Sequence, residues 1–166
     1  MSTTNTAMII LPIVLYVDPD PAMRERVTAV FNETRAFSVF TVESGEKALD
    51  LAVQHQPDVI ISDQNLPGIK GTELLRALNT RGINPPFIFF AYNFIEPVKK
   101  NSMLQAVFRF KGRDDSDKST LLKLMRLVCW VAGEQFPSPP GNGWKFQESD
   151  RCGDTPCKSN SGRRNS

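Results

Sequence analysis

The residues of this sequence that could do chemistry are acids and a lysine placed at the ends of short apolar runs. Asp18 and Asp20 come after the first run, Asp63 follows a later one, and Lys111 closes the last. If these runs are parallel strands, all four residues lie at one edge of a sheet, where such sheets place their ligands. Carboxylate oxygens suit a hard cation such as Mg²⁺. A lysine opposite them suits a phosphoryl group, or simply neutralises the acids.

Each acid also has a structural explanation when it is considered alone. Asp18 and Asp20 would then only cap the helix that follows them, and Asp63 would only begin a turn. The Asp20-Pro21 pair is typical of a helix start, with a capping carboxylate followed by Pro at the first helical position. The convergence of three acids and a lysine on one edge nevertheless favours a site.

The elements that must position these residues alternate between two periodicities. Five short apolar runs are typical of buried strands, and they cover residues 13–17, 37–42, 59–62, 87–90 and 106–110. Apolar residues at helical spacing follow each of them, with Ser44 as the expected cap of the second helix and a weak helix expected from Glu96. This alternation implies an α/β fold with a parallel sheet and helices on both faces.

The sequence resembles the receiver domain of two-component response regulators. The resemblance rests on I-V-L-Y-V-D at 13–18, P-D-V-I-I-S-D-Q-N-L-P-G at 57–68 and G-T-E-L-L at 71–75, and segments 86–90 and 108–111 extend it. It covers about residues 11–132, and the part around Asp63 is highly specific. The resemblance implies a flavodoxin-like (βα)5 three-layer sandwich with a five-stranded parallel sheet.

The resemblance also implies a role for individual residues. Asp63 is the expected phosphoacceptor, whose carboxylate attacks the phosphoryl group of a histidine kinase and forms an aspartyl phosphate. Lys111 is expected to pair with the phosphoryl oxygens, and Phe108 lies at the aromatic position that responds to phosphorylation. Phosphoryl transfer needs this kind of positioning and charge neutralisation more than covalent help. The expected Mg²⁺ ligands are Asp18, Asp20, Asp63 and the backbone carbonyl of Asn65.

Three positions depart from the family pattern. Pro19 stands where the family has a second acid that binds the metal directly, so we expect a weakened Mg²⁺ site. Asp20 is the nearest replacement, but it is also the natural helix cap. Ala91 stands at the switch position where a Thr or Ser hydroxyl contacts the phosphoryl group, and Gly112 replaces the usual Pro. These changes affect the chemistry more than the fold, as in a partly degenerate receiver.

Three functions are therefore compared. The first is a single-domain receiver in a phosphorelay, phosphorylated on Asp63 and signalling through protein contacts. The second is a pseudo-receiver that binds partners without phosphorylation, and the residues do not decide between these two. The third is a haloacid-dehalogenase-type phosphatase with Asp18 as nucleophile and Asp20 as general acid. The third leaves segment 63–68 unexplained, and Pro21 stands where that family has Thr or Val, so we expect no enzyme.

Composition bounds the partners and the location. The chain has 166 residues and a net charge of +2, and the whole excess falls in residues 137–166, which gives no reason to expect nucleic acid. Three cysteines form no disulfide framework, and the apolar stretch 7–17 is far short of the ~20 residues of a membrane span. No basic residue precedes that stretch, as a signal peptide would require. We expect a cytoplasmic protein without membrane contact.

The domain organisation follows from the same patterns. We predict a flexible N-terminus at 1–10, the receiver domain at 11–132 and a disordered tail at 133–166, where Pro, Ser, Asn and Gly predominate. The expected partner is a histidine kinase or a phosphotransfer protein. Leu127 and Trp130 on the last helix would support a homodimer if exposed, and a larger core is the alternative.

Overall fold

Five apolar segments pair as a parallel sheet in the computed structural model, which describes residues 10–91, 107–111 and 118–132. The spatial order of the strands is β2-β1-β3-β4-β5. The strands are β1 Ile13–Val17, β2 Ser38–Val42, β3 Val59–Ser62, β4 Phe87–Ala91 and β5 Val107–Lys111. The helices are α1 Pro21–Thr34, α2 Gly45–His55, α3 Gly71–Thr80 and α4 Lys118–Ala132. The predicted fold class, a flavodoxin-like α/β sandwich, is confirmed.

Two helices begin where the sequence predicts. The Asp20 side chain accepts a hydrogen bond from the amide of Ala22 at 2.9 Å, and Pro21 is the first residue of α1. The Ser44 hydroxyl accepts a longer hydrogen bond, 3.4 Å, from the amide of Lys47 at the start of α2. Both side chains satisfy amide groups that have no partner within the helix.

The sheet separates two apolar cores because successive side chains of a strand point to opposite faces. On β1, Val14 and Tyr16 belong to the core formed with α1 and α4, which also contains Leu124. Leu15 and Val17 belong to the opposite core, formed with α2 and α3. All four residues of β3 are buried, as predicted for a strand covered on both faces.

The last helix buries more of its side chains in the core than the sequence pattern alone indicates. Leu127 is only 3% exposed and packs in the core with α1, and Trp130 is half-buried against the same core. The alternative of a larger core is therefore correct for Leu127, which is not a surface residue. Cys129 is also half-buried, and burial raises the pKa of its thiol to about 11, so the thiolate is scarce near neutral pH.

Several predicted features lie outside the described residues. They are the helix expected from Glu96, Gly112, the tail at 133–166 and all of the N-terminal segment except Ile10, which is exposed. These features, and the domain boundaries drawn from them, stay predictions.

Truncation of Leu124 tests whether α4 is an integral part of this core. Leu124 is fully buried, so Leu124→Ala should lower the free energy of unfolding by about 2–5 kcal/mol. Urea denaturation followed by circular dichroism measures the change. Val53→Ala, at a position that is half exposed, should change it by less than about 0.5 kcal/mol. Equal effects of the two substitutions would contradict the packing of α4.

Candidate functional site

The carboxyl ends of β1 and β3 bring Asp18 and Asp63 to neighbouring positions. Val17 and Ser62 are register partners, and each acid is the next residue of its chain segment. The amide of Asp63 donates a hydrogen bond to the carbonyl of Val17 at 2.9 Å, which extends the pairing by one residue. Asp18 is fully buried and Asp63 is 8% exposed. The sequence prediction that these two acids share one edge of the sheet is thus supported by the backbone.

The Asp18 carboxylate is held by hydrogen bonds to both of its oxygens. The hydroxyl of Tyr16, itself fully buried, donates to Oδ2 at 2.7 Å. The amide of Asp20 donates to Oδ1 at 2.8 Å. A buried carboxylate requires such partners because it has lost its water. Sequence reasoning missed Tyr16, which stands in an apolar run and carries no signal beyond being two residues before the acid.

The loop between β1 and α1 is fixed from the helix side as well. Arg24, one turn into α1, donates through Nη1 to the carbonyl of Asp18 at 2.6 Å and to that of Pro19 at 3.0 Å. Asp20 turns its Oδ1 toward the amide of Ala22 as the helix cap. The structural role considered for Asp20 is therefore present in the structure, and its capping oxygen points into the helix start.

The loop after Asp63 is shaped by its own side chain and by its neighbours. The amide of Asn65 lies 3.3 Å from Asp63 Oδ1, and the hydroxyl of Ser62 donates to the Asp63 carbonyl at 2.7 Å. At Gly71, an added Cβ would lie 2.4 Å from that carbonyl oxygen, so α3 can begin this close to the acid only with glycine there. The side chain of Asn65 is exposed at the rim of the site.

A glutamate from α2 tethers the far end of the same loop. Glu46 Oε1 accepts a hydrogen bond from the amide of Ile69 at 3.1 Å. Gly68, immediately before it, has a φ of 76°, and a Cβ there would lie 2.1 Å from the same oxygen. The glycine thus permits both the left-handed turn and the close approach of the carboxylate. Sequence analysis did not single out Glu46, since its partner is 23 residues away.

The remaining predicted residues are placed by the backbone of β4 and β5. Ala91 and Lys111 are register partners at the carboxyl ends of these strands, and Phe108 pairs with Ile88. Because β4 pairs with β3, Ala91 and Lys111 lie at the same edge of the sheet as Asp63. The structure describes only the backbone at these three positions, so the roles of Lys111, Ala91 and Phe108 stay predictions.

The acids at this edge supply oxygen ligands of the kind that Mg²⁺ binds, but hydrogen bonds within the chain already involve Asp18 and Asp20. Within the described part of the chain, no three His, Cys, Asp or Glu side chains are grouped so that they could hold a metal ion. Pro19 contributes no carboxylate, Asp20 caps α1 through Oδ1, and Asp18 uses both oxygens within the chain. Pro19 therefore leaves this edge short of one carboxylate, and the predicted metal roles of Asp18, Asp20, Asp63 and the Asn65 carbonyl stay predictions.

Comparison with known sequences indicates the family of proteins to which this chain is similar. The family model of the response regulator receiver domain matches residues 14–108. The chain is 27% identical over 106 residues to sporulation initiation phosphotransferase F of Bacillus subtilis, which covers 63% of this chain and 85% of that protein. It is 30% identical over 78 residues to the cell cycle response regulator CtrA of Brucella ovis. The second match covers 47% of this chain and only 33% of CtrA.

Solved structures give the same result for the fold. The chemotaxis response regulator CheY4 of Vibrio cholerae superposes with a TM-score of 0.56 at 25% identity, over 72% of this chain and 99% of that one. The receiver domain of the LuxO repressor protein of Vibrio parahaemolyticus gives a TM-score of 0.64 at 19% identity, over 75% and 92% of the two chains. Of the helices that the structure describes, none is long and apolar enough to cross a membrane.

Removal of the Glu46 carboxylate should loosen the loop that follows Asp63. In Glu46→Ala the amide of Ile69 loses its acceptor, and we expect it to exchange with deuterium faster than in the parent chain. The free energy of unfolding should fall by about 0.5–1.5 kcal/mol. Hydrogen exchange with mass spectrometry measures the first effect and denaturant titration the second. Glu25→Ala, at an exposed helical position, is the control and should leave segment 66–70 unchanged. Equal exchange of this segment in both variants would refute the tether.

Proposed function

Because the chain belongs to the response regulator receiver domain family, we propose that it accepts a phosphoryl group on Asp63. The phosphoryl donor is a histidine kinase or a phosphotransfer protein, and the signal passes on through protein contacts. The family is one of signalling modules in phosphorelays, which agrees with the names of the relatives in Bacillus and Brucella. We propose that the chain itself has no enzymatic turnover of a separate substrate.

The observation that carries this proposal is the position of Asp63. It follows the fully buried β3, lies beside Asp18 at the carboxyl edge of the sheet, and is 8% exposed. Its small exposed fraction limits the directions from which a phosphoryl donor can reach the carboxylate. Such restriction of geometry is the main contribution a protein makes to phosphoryl transfer.

The transfer step follows ordinary nucleophilic chemistry. An oxygen of Asp63 attacks the phosphorus of the phosphohistidine, and a P–O bond forms as the P–N bond breaks. The imidazole nitrogen of the donor keeps the electron pair and takes up a proton. Lys111, which we propose to face the phosphoryl oxygens, would offset their charge. Water later hydrolyses the acyl phosphate and restores the carboxylate.

The metal requirement is proposed to be weaker than is usual for the family. Receiver domains typically bind Mg²⁺ at their acidic site. Here Asp18, Asp20, Asp63 and the carbonyl of Asn65 are the proposed ligands, but Pro19 removes one carboxylate and Asp20 caps α1. Affinity for hard cations falls with the number of charged ligands. We therefore propose weak Mg²⁺ binding.

We propose that the structural response to phosphorylation is also weaker than is usual for the family. Ala91 has no hydroxyl to draw toward a phosphoryl group, so the segment after β4 would be less strongly coupled to Asp63. Phe108 is the proposed aromatic switch residue on the neighbouring strand. Neither the phosphorylation-independent binding module nor the phosphatase is favoured by the comparisons, and the helix cap made by Asp20 gives the phosphatase no support.

Location and association are proposed from the same function. We propose a cytoplasmic location, because a histidine kinase takes its phosphoryl group from ATP in the cytoplasm and this chain must meet the donor there. We propose no direct contact with nucleic acid or with a membrane. A homodimer through the last helix would use the exposed part of Trp130, since Leu127 is committed to the core.

Phosphorylation of the full chain by a small donor tests the proposal. The chain incubated with MgCl₂ and acetyl phosphate should gain the mass of one phosphoryl group, as measured by intact mass spectrometry. Asp63→Asn should abolish the adduct because it removes the nucleophilic oxygen. Asp50→Asn, on the exposed face of α2, should keep it. An adduct that persists in Asp63→Asn, or none on the parent chain at saturating donor, would refute the assignment.

A further inference from the structure

The hydroxyl of Tyr16 is the least expected group at this edge of the sheet. Tyr16 lies two residues before Asp18 on β1, so both side chains point to the same face of the sheet. The ring packs in the core formed with α1 and α4, and the hydroxyl reaches Asp18 Oδ2 at 2.7 Å. One side chain therefore joins the apolar core to the acidic edge.

The hydrogen bonds around Asp18 compete with a cation for the same carboxylate. Tyr16 donates to Oδ2 and the amide of Asp20 to Oδ1. Arg24 donates to the backbone carbonyls of Asp18 and Pro19, which fixes the main chain of the loop that carries this carboxylate. Mg²⁺ demands a nearly octahedral shell and keeps several waters, which also need carboxylate lone pairs as acceptors.

We propose that Tyr16 is a positioning residue that fixes the Asp18 carboxylate within the chain and thereby lowers the affinity of the acidic edge for divalent cations. The hydroxyl of Tyr16 and the amide of Asp20 then occupy acceptor positions of the Asp18 carboxylate that a cation or its bound water would otherwise use. The inference rests on the proposed function only in its choice of cation, because it concerns a hydrogen bond that the structure contains. It adds an internal cause of weak binding to the missing carboxylate at Pro19.

The phenylalanine substitution isolates this hydroxyl. Tyr16→Phe keeps the ring in the core and removes only the group that contacts Asp18. A carboxylate accepts hydrogen bonds at about four lone-pair positions, so the loss of one donor should help a cation moderately rather than completely. We expect about a tenfold lower dissociation constant for Mg²⁺ or Mn²⁺, as for one hydrogen bond to a charged group.

Isothermal titration of the full chain with MnCl₂ and with MgCl₂ measures the effect. Tyr16→Phe should bind about tenfold more tightly than the parent chain, and Tyr16→Phe combined with Asp18→Asn should lose that gain. Pro19→Asp restores the missing carboxylate and is the positive control. Thr80→Val is the matched control, because it removes a hydroxyl that donates to the Arg76 carbonyl in α3, away from the acids. It should leave the affinity unchanged.

Two outcomes would overturn the inference. One is an unchanged affinity in a folded Tyr16→Phe chain, whether or not Pro19→Asp binds more tightly. The other is a gain that survives when Asp18 is changed to Asn. If Tyr16→Phe does not fold, Tyr16→Met removes the hydroxyl with a smaller and more adaptable apolar side chain and is judged by the same criteria. Failure here leaves the phosphoryl adduct on Asp63 untouched, so the two proposals fail separately.

Discussion

The structure depends on the burial of one acidic side chain. Asp18 has no exposure to solvent, and an ionised carboxylate in that position is stable only when the protein replaces its water. Tyr16 and the amide of Asp20 supply the hydrogen bonds to its oxygens. Arg24 binds the carbonyl of the same residue. The loop from β1 into α1 therefore follows a course in which its own amide and the Arg24 side chain contact this acid.

The pairing of β1 with β3 relates the position of Asp18 to that of Asp63. Since β1 and β3 are parallel neighbours with Val17 beside Ser62, the fixed position of Asp18 determines where Asp63 emerges. Glu46 and Gly71 then define the loop beyond Asp63 from two other elements, one by accepting a hydrogen bond and the other by having no side chain. Asp63 is thus surrounded by main-chain structure. This arrangement explains how the fold of the family persists although Pro19 and Ala91 depart from its chemistry.

Much of this architecture was predictable because the deciding signals are local. Alternating apolar runs gave β1 and β3 at their observed bounds, and Asp20 before Pro21 marked the start of α1. The side-chain contacts that shape the site could not be predicted from local sequence patterns. Glu46 is an ordinary acid in the first turn of a helix until Ile69 is folded against it. Tyr16 resembles any large residue in a buried strand, and only the structure shows where its hydroxyl lies.

Tyr16 contacts both the acidic edge, through its hydroxyl, and the apolar core, through its ring. The ring is rigid, and it packs in the core with α1 and α4 but not in the core with α2 and α3. A displacement of the Asp18 carboxylate that moved the hydroxyl would therefore move the ring against α1 and α4, on one face of the sheet only. Thermodynamic linkage is reciprocal, so a partner that displaced the Tyr16 ring through α4 would also change the free energy of binding any ligand that contacts Asp18.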